Sequence, residues 1–481
     1  MRNVQIFTPE HITYTMFNEI GYMGAIVRKK HIIDNSCGNG AILKLVVKHY
    51  INVCLTYNVS KEEIIRELET YIHGVEIDEN LYNETINNLN QLANTYSLGK
   101  INWDIINEDT MYVEKYNGMM DYVIGNPPYC NIHDIEETKR EKVKSFNFAN
   151  GGMTDMYLVF FEIGIKMLNT NGRLIYITPN SWLTSKAGIN FKKYLKESKT
   201  LHEIYQYGHK KIFDNATTYT SLTLLSKRPK KDNTFICYRN TSNSSCLMTK
   251  SIENLEHCMI NDNIYLTDKE TLKTLRQIDI FSNSLKGKKN RIRVKNGFAT
   301  LKDKFFIIDD CKLDCDNIIN VTKASNGETH RFFYPYDKTG KPLELNDINE
   351  QLVQYMLEKA DKLGIDTTKP QWYIYGRTQA LNDVRYKKIA LNIIVRDKSD
   401  FKISVTKEQE GVYSGFYIPL YETYEDKVSE IINFIYCDSF IDYIKAVGKY
   451  KSGGYYTFSS KELEIWLNYC LENKETNMPT R

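Results

Sequence analysis

Short apolar runs and longer amphipathic stretches alternate along the first half of the chain. The apolar runs lie at residues 31–34, 72–78, 101–106 and 121–125. They are rich in Ile, Val and Tyr, which is typical of strands buried on both faces of a sheet. Residues 41–57 and 60–71 have helical periodicity instead, and Ser60 with Glu63 three residues later predicts a capping box. Alternating strands and helices predict an α/β fold with a parallel sheet.

The pattern changes after the first 225 residues. Up to that point it continues through a helix and two strands, at residues 154–168, 173–178 and 219–225. The charged segment 226–233 contains Pro229 and predicts a domain boundary, which we place between residues 229 and 230. Beyond it we predict three strands and then a helix, at residues 305–308, 389–395, 412–420 and 428–447. We therefore expect two domains, residues 1–229 and 230–481, the second with a mixed α+β fold.

The composition and net charge are those of an ordinary globular protein, and the sequence lacks the features of membrane, secreted and zinc-binding proteins. Of its 481 residues 42% are apolar and 26% are charged, and the formal net charge is +3. No apolar run reaches the ~18 residues that span a bilayer, and the polar N-terminus has no signal-peptide pattern. The ten cysteines are scattered, and the close pair Cys311 and Cys315 has no second pair at metal-binding spacing. We expect a cytoplasmic, monomeric protein with neither a metal nor a membrane segment.

The predicted strands end in residues that carry ligand chemistry. The sequence Asp-Asn-Ser-Cys-Gly-Asn-Gly, which starts at Asp34, is a glycine-rich turn between a strand and a helix. Gly38 and Gly40 permit positive φ and carry no Cβ, and the Asp34 carboxylate can pair with a cationic α-amino group. Glu76, near the end of the second strand, suits ribose hydroxyls. Asp109, after the third, can accept a hydrogen bond from an adenine amino group.

The fourth predicted strand is followed by Asn126, Pro127, Pro128 and Tyr129. The two prolines fix φ and remove two N–H donors, so the local carbonyls point outward without ladder partners. The Asn amide oxygen and a proline carbonyl can accept from the amino group of an extruded adenine, and the Tyr ring can stack on the base. The alternative is a plain Pro-Pro turn that closes a strand, which a four-residue match by itself leaves open.

Together these motifs resemble the S-adenosylmethionine-dependent DNA amino-methyltransferases. The order of the motifs resembles the gamma type of the adenine-N6 class, in which the cofactor motifs precede the catalytic motif and a target-recognition domain comes last. Phe7, Thr8 and Pro9 resemble the N-terminal cofactor motif of this family, although Thr8 and Pro9 also fit a simple N-cap and first helical position. Asn35 stands where the family more often has Pro, and the extra helix at residues 60–71 separates Glu76 from the glycine-rich turn.

The resemblance implies a set of site residues. The catalytic residues it implies are Asn126, Pro127, Pro128, Tyr129 and Phe213, the last as a second aromatic wall for the flipped base. The alternative for Phe213 is a purely structural role as a buried phenylalanine of the hydrophobic core. The cofactor-binding residues it implies are Phe7, Thr8, Pro9, Asp34, Asn35, Ser36, Cys37, Gly38, Gly40, Glu76, Ile77, Asp109, Thr110 and Asn126.

Two basic segments of the second half suit contact with DNA. The first lies within residues 286–295 and contributes Lys286, Lys288, Lys289, Arg291 and Arg293. The second is glycine-containing and contributes Lys449, Lys451 and Tyr455. A solvated loop and a surface hairpin are the alternatives for these two segments.

The function that the resemblance implies is methylation of the N6 amino group of a flipped-out adenine in double-stranded DNA. The cofactor would be S-adenosyl-L-methionine, and the setting a type II restriction-modification system with a possible cognate restriction endonuclease. An RNA methyltransferase acting on an exocyclic amino group is the runner-up. Methyltransferases that act on a protein glutamine share the Asn-Pro-Pro-Tyr tetrapeptide, but they are much shorter. A DNA-binding protein without catalytic activity would not need the glycine-rich turn and the Asn-Pro-Pro-Tyr turn together. We expect no nuclease domain, because the first cofactor motif begins at Phe7.

Overall fold

The computed structural model describes residues 8–150, 154–207, 220–240, 248–285, 287–288 and 290–473. The chain divides into two compact units, Met1–Leu266 and Thr267–Arg481.

Strands and helices alternate through most of the first unit. Its strands are β1 (Ile32–Asp34), β2 (Ile72–Glu76), β3 (Asp104–Asn107), β4 (Met120–Gly125), β5 (Leu168–Pro179), β6 (Leu201–Gln206), β7 (Thr220–Ser226), β8 (Thr234–Asn240), β9 (Met248–Asn254), β10 (Met259–Ile260) and β11 (Asn263–Ile264). Its α-helices are α1 (Glu10–Ile20), α2 (Ala41–Thr56), α3 (Lys61–Tyr71), α4 (Glu79–Thr95), α5 (Glu137–Lys144), α6 (Met156–Met167), α7 (Ile189–Ser198) and α8 (Leu255–Cys258). Short 3-10 helices lie at Gly24–Val27, Thr110–Tyr112, Ile132–Asp134, Asn147–Ala149 and Asn180–Leu183.

Within the described residues, nine strands form one sheet in the order β3-β2-β1-β4-β5-β7-β6-β8-β9. The five strands from β3 to β5 are mutually parallel, and β7 is inserted antiparallel between β5 and β6. The chain order of the strands reverses between β1 and β4, which are direct neighbours. In open α/β sheets this switch point, at the carboxyl ends of the strands, is where ligands bind.

Helices cover both faces of the sheet because its strands are apolar on both sides. Ile32 and Ile124 pack in a core with α1, α2, α3 and α4. The adjacent residues Ile33 and Val123 point to the other face, into a core with α6 and α7. Each fully buried side chain of this kind contributes roughly 1.5–3 kcal/mol of transfer free energy.

Local predictions in this unit agree with the structure in most positions and differ at two. Ser60 Oγ accepts a hydrogen bond from Glu63 N (3.3 Å) at the start of α3. Thr8 is not the N-cap of α1, because Pro9 occupies that position with extended φ and ψ and the helix begins one residue later. Residue 230 lies between β7 and β8, and the compact unit extends to Leu266 because β8 and β9 add two strands to the sheet.

The second unit contains several small sheets and six α-helices among its described residues. The strands are β12 (Lys295–Asn296), β13 (Ile318–Lys323), β14 (Thr329–Phe333), β15 (Lys388–Leu391), β16 (Ile394–Val395), β17 (Ile403–Thr406), β18 (Gly411–Tyr413), β19 (Phe416–Pro419), β20 (Lys449–Tyr450) and β21 (Tyr456–Thr457). The helices are α9 (Lys269–Ser284), α10 (Asp303–Phe306), α11 (Glu350–Lys362), α12 (Val428–Ile435), α13 (Asp438–Val447) and α14 (Ser460–Glu472). The strands pair as β12-β19-β15-β17, β14-β13-β18 and β16-β21-β20, which makes this an α+β unit.

Four predictions in this unit were wrong. The predicted strands 389–395 and 412–420 are each two strands of different sheets, β15 and β16 in the first and β18 and β19 in the second. Residues 305–308 were expected to form a strand, but Phe305 and Phe306 close the short helix α10 and are both buried. A strand with one solvent-facing side would have exposed one of the two rings. The predicted helix 428–447 is two helices, because Cys437 is extended (φ −82°, ψ 150°) and acts as the N-cap of α13. Among the described residues, none of the helices combines the length and apolar character that crossing a bilayer requires.

Candidate active site

The glycine loop, residues 34–40, connects the end of β1 to the first turn of α2. Gly38 has φ 56° and Gly40 has φ 80°, values that a side chain would strain. A Cβ on Gly38 would meet no atom within 4 Å, so the backbone there faces open space. A Cβ on Gly40 would lie 3.0 Å from Thr85 Cγ2. The loop therefore presents accessible backbone beside a helix N-terminus, the arrangement that suits a nucleotide-like ligand.

Helix α4 holds the glycine loop from outside. Thr85 Oγ1 donates to the Gly38 carbonyl (2.7 Å), and Asn88 Nδ2 donates to the Asn39 carbonyl (2.9 Å). Thr85 is fully buried. Neither side chain was predicted from the sequence, although two polar residues at i and i+3 on one helix face were a usable signal.

Glu76, at the end of β2, reaches the same loop. Its Oε2 accepts from Gly38 N (2.8 Å), and its Oε1 accepts from Asp78 N (2.9 Å). Each carboxylate oxygen keeps a second lone pair for another donor. Asn107 fixes the end of β2 by donating to the Glu76 carbonyl (2.8 Å), and next to it the Ile77 side chain is 54% exposed. An acceptor and an apolar surface thus lie side by side.

Asp34 carries the carboxyl group of the glycine loop, and this group is buried. It is 1% exposed, and its Oδ1 accepts from Ser36 N (3.1 Å). Burial raises the pKa of Asp34 to about 7, and the nearby Glu76 carboxylate adds to the rise. Ser36 Oγ is also buried and has no hydrogen-bond partner among the described residues. A buried carboxyl beside an unsatisfied hydroxyl fits the amino-acid end of S-adenosylmethionine, whose ammonium group would pair with Asp34.

Asn35 and Cys37 direct their side chains into the core. Asn35 Oδ1 accepts from Tyr176 OH (2.8 Å), while its carbonyl accepts from Thr110 Oγ1 (2.6 Å). The Cys37 side chain is buried, and this burial raises the pKa of its thiol well above the usual value. Both side chains are therefore part of the core, and the predicted contact of these two residues with a cofactor stays a prediction. Tyr176, which anchors Asn35, was not predicted from the sequence.

Asp109 and Thr110 lie after β3, at the same edge of the sheet. Asp109 Oδ1 accepts from Met111 N (3.1 Å) at the start of a 3-10 helix. Its other oxygen forms an ion pair with Lys139 Nζ (3.3 Å). Thr110 is buried and ties this segment to the glycine loop through Asn35.

The Asn-Pro-Pro-Tyr turn, residues 126–129, directly follows β4. Tyr129 OH donates to the Ile177 carbonyl (3.0 Å), which fixes the ring against β5. Burial raises the pKa of Tyr129 well above its usual value, so the phenol stays protonated. Asn126 is half-buried and Pro128 is exposed. The turn is therefore a rigid feature with one open side.

β4 brings this turn against the glycine loop. A Cβ on Gly125, the residue before Asn126, would lie 3.0 Å from Asp34 Oδ1 and 3.6 Å from Ser36 Oγ. The approach is possible only because Gly125 has no side chain. The two motifs that the sequence singled out, about 90 residues apart, thus share one site.

The turn is also joined to the start of α6. Met156 N donates to the Cys130 carbonyl (2.9 Å), and Asn131 Nδ2 donates to Asp155 Oδ1 (3.3 Å). Tyr157 OH and Ser181 Oγ are 3.1 Å apart and extend the polar contacts to the segment after β5. Four predicted residues, Phe7, Phe213, Lys286 and Lys289, lie outside the described residues.

The described cations of the first basic segment, Lys288, Arg291 and Arg293, are paired with acids of the same unit. Lys288 Nζ lies 2.5 Å from Glu472 Oε1, and Arg291 Nε lies 3.2 Å from Glu464 Oε1. Arg293 Nη1 approaches the same Glu464 oxygen at 3.5 Å. Arg291 and Arg293 line a cavity of about 530 Å³. The segment is thus partly neutralised by α14, which reduces the net positive charge that we expected there.

The second basic segment forms a small hairpin, one of the two alternatives that the sequence left open. β20 and β21 pair around Gly453, which has φ 74°, and Lys451 N donates to the Tyr455 carbonyl (2.6 Å). The Arg396 guanidinium lies 5.4 Å from the centroid of the Tyr455 ring. Lys449 and Lys451 are exposed. The described residues contain no group of three or more His, Cys, Asp or Glu side chains that could hold a metal ion.

Several known proteins are similar to this chain. Residues 41–213 match the family described as Eco57I restriction-modification methylase. The type II restriction enzyme and methyltransferase RM.Eco57I of Escherichia coli is 24% identical over 350 residues, which cover 62% of this chain. The type II methyltransferase M.HincII of Haemophilus influenzae is 22% identical over 485 residues, which cover 97% of this chain. The chain spans 34% of the length of the first relative and 84% of the second.

A solved structure shows the same architecture. The type IIL restriction-modification enzyme MmeI in complex with DNA has a TM-score of 0.58 and 11% sequence identity, and the match covers 94% of this chain and 64% of that one. The predicted resemblance to restriction-modification methyltransferases is confirmed by the sequence matches. The predicted Rossmann-like α/β fold with an α+β domain after it is confirmed by the structure. The matched family and the fold imply S-adenosyl-L-methionine as the cofactor.

Proposed function

We propose that this chain is a site-specific DNA methyltransferase that methylates the N6 amino group of a flipped-out adenine in double-stranded DNA. The observation that carries the proposal is the close approach of the two motifs, with the Cβ position of Gly125 only 3.0 Å from Asp34 Oδ1. Because of this approach, a methyl donor held by the glycine loop would lie beside a base held by the Asn-Pro-Pro-Tyr turn.

The residues of the glycine loop suit the proposed cofactor contacts one by one. Asp34 would pair with the ammonium group, and Glu76 would accept from the ribose hydroxyls through its remaining lone pairs. Ile77 offers exposed apolar surface for the adenine ring, and Asp109 an acceptor for its amino group. Bound there, S-adenosyl-L-methionine supplies an electrophilic methyl group on a sulfonium centre.

The Asn-Pro-Pro-Tyr turn supplies the groups that make an amino nitrogen nucleophilic. The N6 lone pair of adenine is delocalised into the ring, so the nitrogen is a poor nucleophile. Hydrogen bonds from this amino group to Asn126 Oδ1 and to the Pro127 carbonyl would favour a tetrahedral nitrogen with a localised lone pair. This stabilisation develops mainly in the transition state, where it accelerates the reaction. Tyr129, anchored through its hydroxyl, would stack on the extruded base.

The proposal extends to the setting of the enzyme. We assign target recognition to the second unit, with the basic segment at residues 286–293 and the β20–β21 hairpin as candidate DNA contacts. A type II restriction-modification system with a cognate restriction endonuclease is the setting that the named relatives support. Action as a monomer in the cytoplasm belongs to the same proposal.

An RNA methyltransferase remains the second candidate. It rests on the same geometry, because a turn that accepts from an exocyclic amino group can serve a base in RNA as well. The DNA complex of the structural neighbour favours the first candidate.

The test is direct. The purified chain is incubated with methyl-labelled S-adenosyl-L-methionine and with duplex DNA or structured RNA, and the nucleosides are then analysed by mass spectrometry. We expect N6-methyladenine in DNA, and single-molecule sequencing should place it at one defined sequence. Label in RNA alone would select the second candidate, and label in neither nucleic acid would refute both.

A further inference from the structure

Leu301, in the second unit, adopts a backbone conformation that is unfavourable for its side chain. Its φ is 61°, in the left-handed region where branched and bulky residues are rare. Its side chain is nevertheless 74% exposed. A leucine in this backbone conformation is strained, whereas a glycine would not be. Because the leucine side chain is mostly exposed, hydrophobic burial offsets little of this strain. A strained and exposed leucine of this kind is a reason to look for a contact outside the fold.

Leu301 lies at the end of a narrow antiparallel pair of segments, residues 297–301 and 376–379, which we call the Leu301 ribbon. Ala299 and Arg377 exchange two backbone hydrogen bonds, of 3.2 and 2.9 Å. Gly376 has no side chain, and a Cβ there would lie 2.3 Å from Leu301 Cδ1. The leucine is thus held in one place against Gly376. Phe298, at the inner end of the ribbon, is buried and pairs in parallel with Tyr413, whereas Leu301, Gly376 and Arg377 at the outer end are exposed. This outer end is two-stranded, and the DNA major groove accepts two strands of this kind.

The cations at the ribbon differ from those of the neighbouring basic segment. Lys302, Lys304 and Arg377 are exposed, and none of them has an ion-pair or side-chain hydrogen-bond partner among the described residues. Asp303, the acid between the two lysines, accepts from Thr300 Oγ1 at the start of α10. Lys288, Arg291 and Arg293, by contrast, are all paired with acids of α14. The ribbon therefore combines cations without acidic partners with an exposed apolar side chain.

We propose that the Leu301 ribbon enters the major groove of the target DNA and reads part of its sequence. Arg377 would contact a guanine edge with two hydrogen bonds, and Leu301 would contact a thymine methyl group. Lys302 and Lys304 would bind the flanking phosphates. This inference rests on the proposed function and assigns part of its sequence recognition to named residues.

The experiment first identifies the target site that the full-length protein methylates. It then compares binding and methylation of this site with binding and methylation of random duplex DNA. Arg377→Lys keeps the positive charge but cannot form the bidentate hydrogen bond to guanine. We expect it to lower the preference for the target site over random DNA roughly 5- to 150-fold. Leu301→Gly should reduce the preference too, although its melting temperature should stay equal or rise because strain is removed. Lys302→Ala with Lys304→Ala should weaken binding to all sequences alike and lower the log–log salt slope by about 1.8.

Matched controls come from α9, where Ile280 is 73% exposed and Lys273 is exposed. Ile280→Ala and Lys273→Ala should leave both preference and salt slope unchanged. If the wild-type protein methylates one site and the Leu301→Gly and Arg377→Lys variants keep its full preference, the ribbon does not read DNA and the inference is overturned. A wild-type protein that methylates no DNA would instead refute the proposed function on which the inference rests.

Discussion

At the scale of single residues, Asn126 is the group on which the proposed chemistry most depends. Asn126→Ala removes an acceptor that acts on the reacting nitrogen, and we expect turnover to fall at least about 100-fold while DNA affinity stays within a few-fold. Single-turnover methylation and equilibrium DNA binding measure the two quantities. Asn171→Ala is the control, because Asn171 is exposed near the start of β5, the end of this strand that is remote from the Asn-Pro-Pro-Tyr turn. Normal turnover in the Asn126 variant would contradict the mechanism.

Asp34 predicts a pH dependence at the same scale. Burial raises its pKa to about 7, so the carboxyl is mainly protonated at lower pH, and the ammonium group of the cofactor prefers the ionised form. Cofactor affinity should therefore rise with pH up to about 7, by at most about tenfold per unit, and then level off. Titration calorimetry between about pH 5.5 and 7.5 measures this. In Asp34→Asn the affinity should be weaker and independent of pH, and a flat wild-type profile would refute the role of Asp34.

At the scale of elements, α4 determines the shape of the glycine loop. Thr85→Val removes the hydrogen bond to the Gly38 carbonyl without changing the size of the buried side chain. One such bond contributes about 0.5–1.5 kcal/mol, so we expect cofactor affinity to fall by about 2- to 12-fold. The measurements are the cofactor dissociation constant and the melting temperature.

The control for Thr85 is another single hydrogen bond at a helix of the same unit. Ser60→Ala removes the N-cap of α3 and should cost about 1 kcal/mol of stability. Since α3 has no described contact with the glycine loop, cofactor affinity should not change. Equal losses of affinity in both variants would mean that destabilisation, rather than loop positioning, explains the effect.

At the scale of the whole molecule, the two compact units predict a division of labour. A fragment of residues 1–266 should bind the cofactor but lose site-specific methylation, because the residues assigned to target recognition are absent. A fragment of residues 1–231 should be less stable, because removal of β8 and β9 leaves β6 as an unpaired edge strand. Calorimetry and methylation mapping test both fragments, and a 1–266 fragment that methylates one defined site would refute the division.

The sequence by itself determined the local features of the active site. Gly38, Gly40, Pro127 and Pro128 restrict the backbone through their own covalent structure, so the loop and the turn were recognisable without any distant residue. The period-2 and period-3.6 patterns likewise predicted the strands and helices of the first unit. The resemblance carried by these motifs then predicted the family that residues 41–213 match.

Only the tertiary structure decided which groups meet. The pairing of Glu464 with Arg291, 173 residues apart, and the anchoring of Asn35 by Tyr176 depend on contacts that no local pattern encodes. The same holds for Leu301, whose strain becomes informative only because its side chain proves to be exposed. Local conformation follows from the covalent chemistry of a few residues. Charge neutralisation, burial and exposure follow from the path of the whole chain, which packing determines.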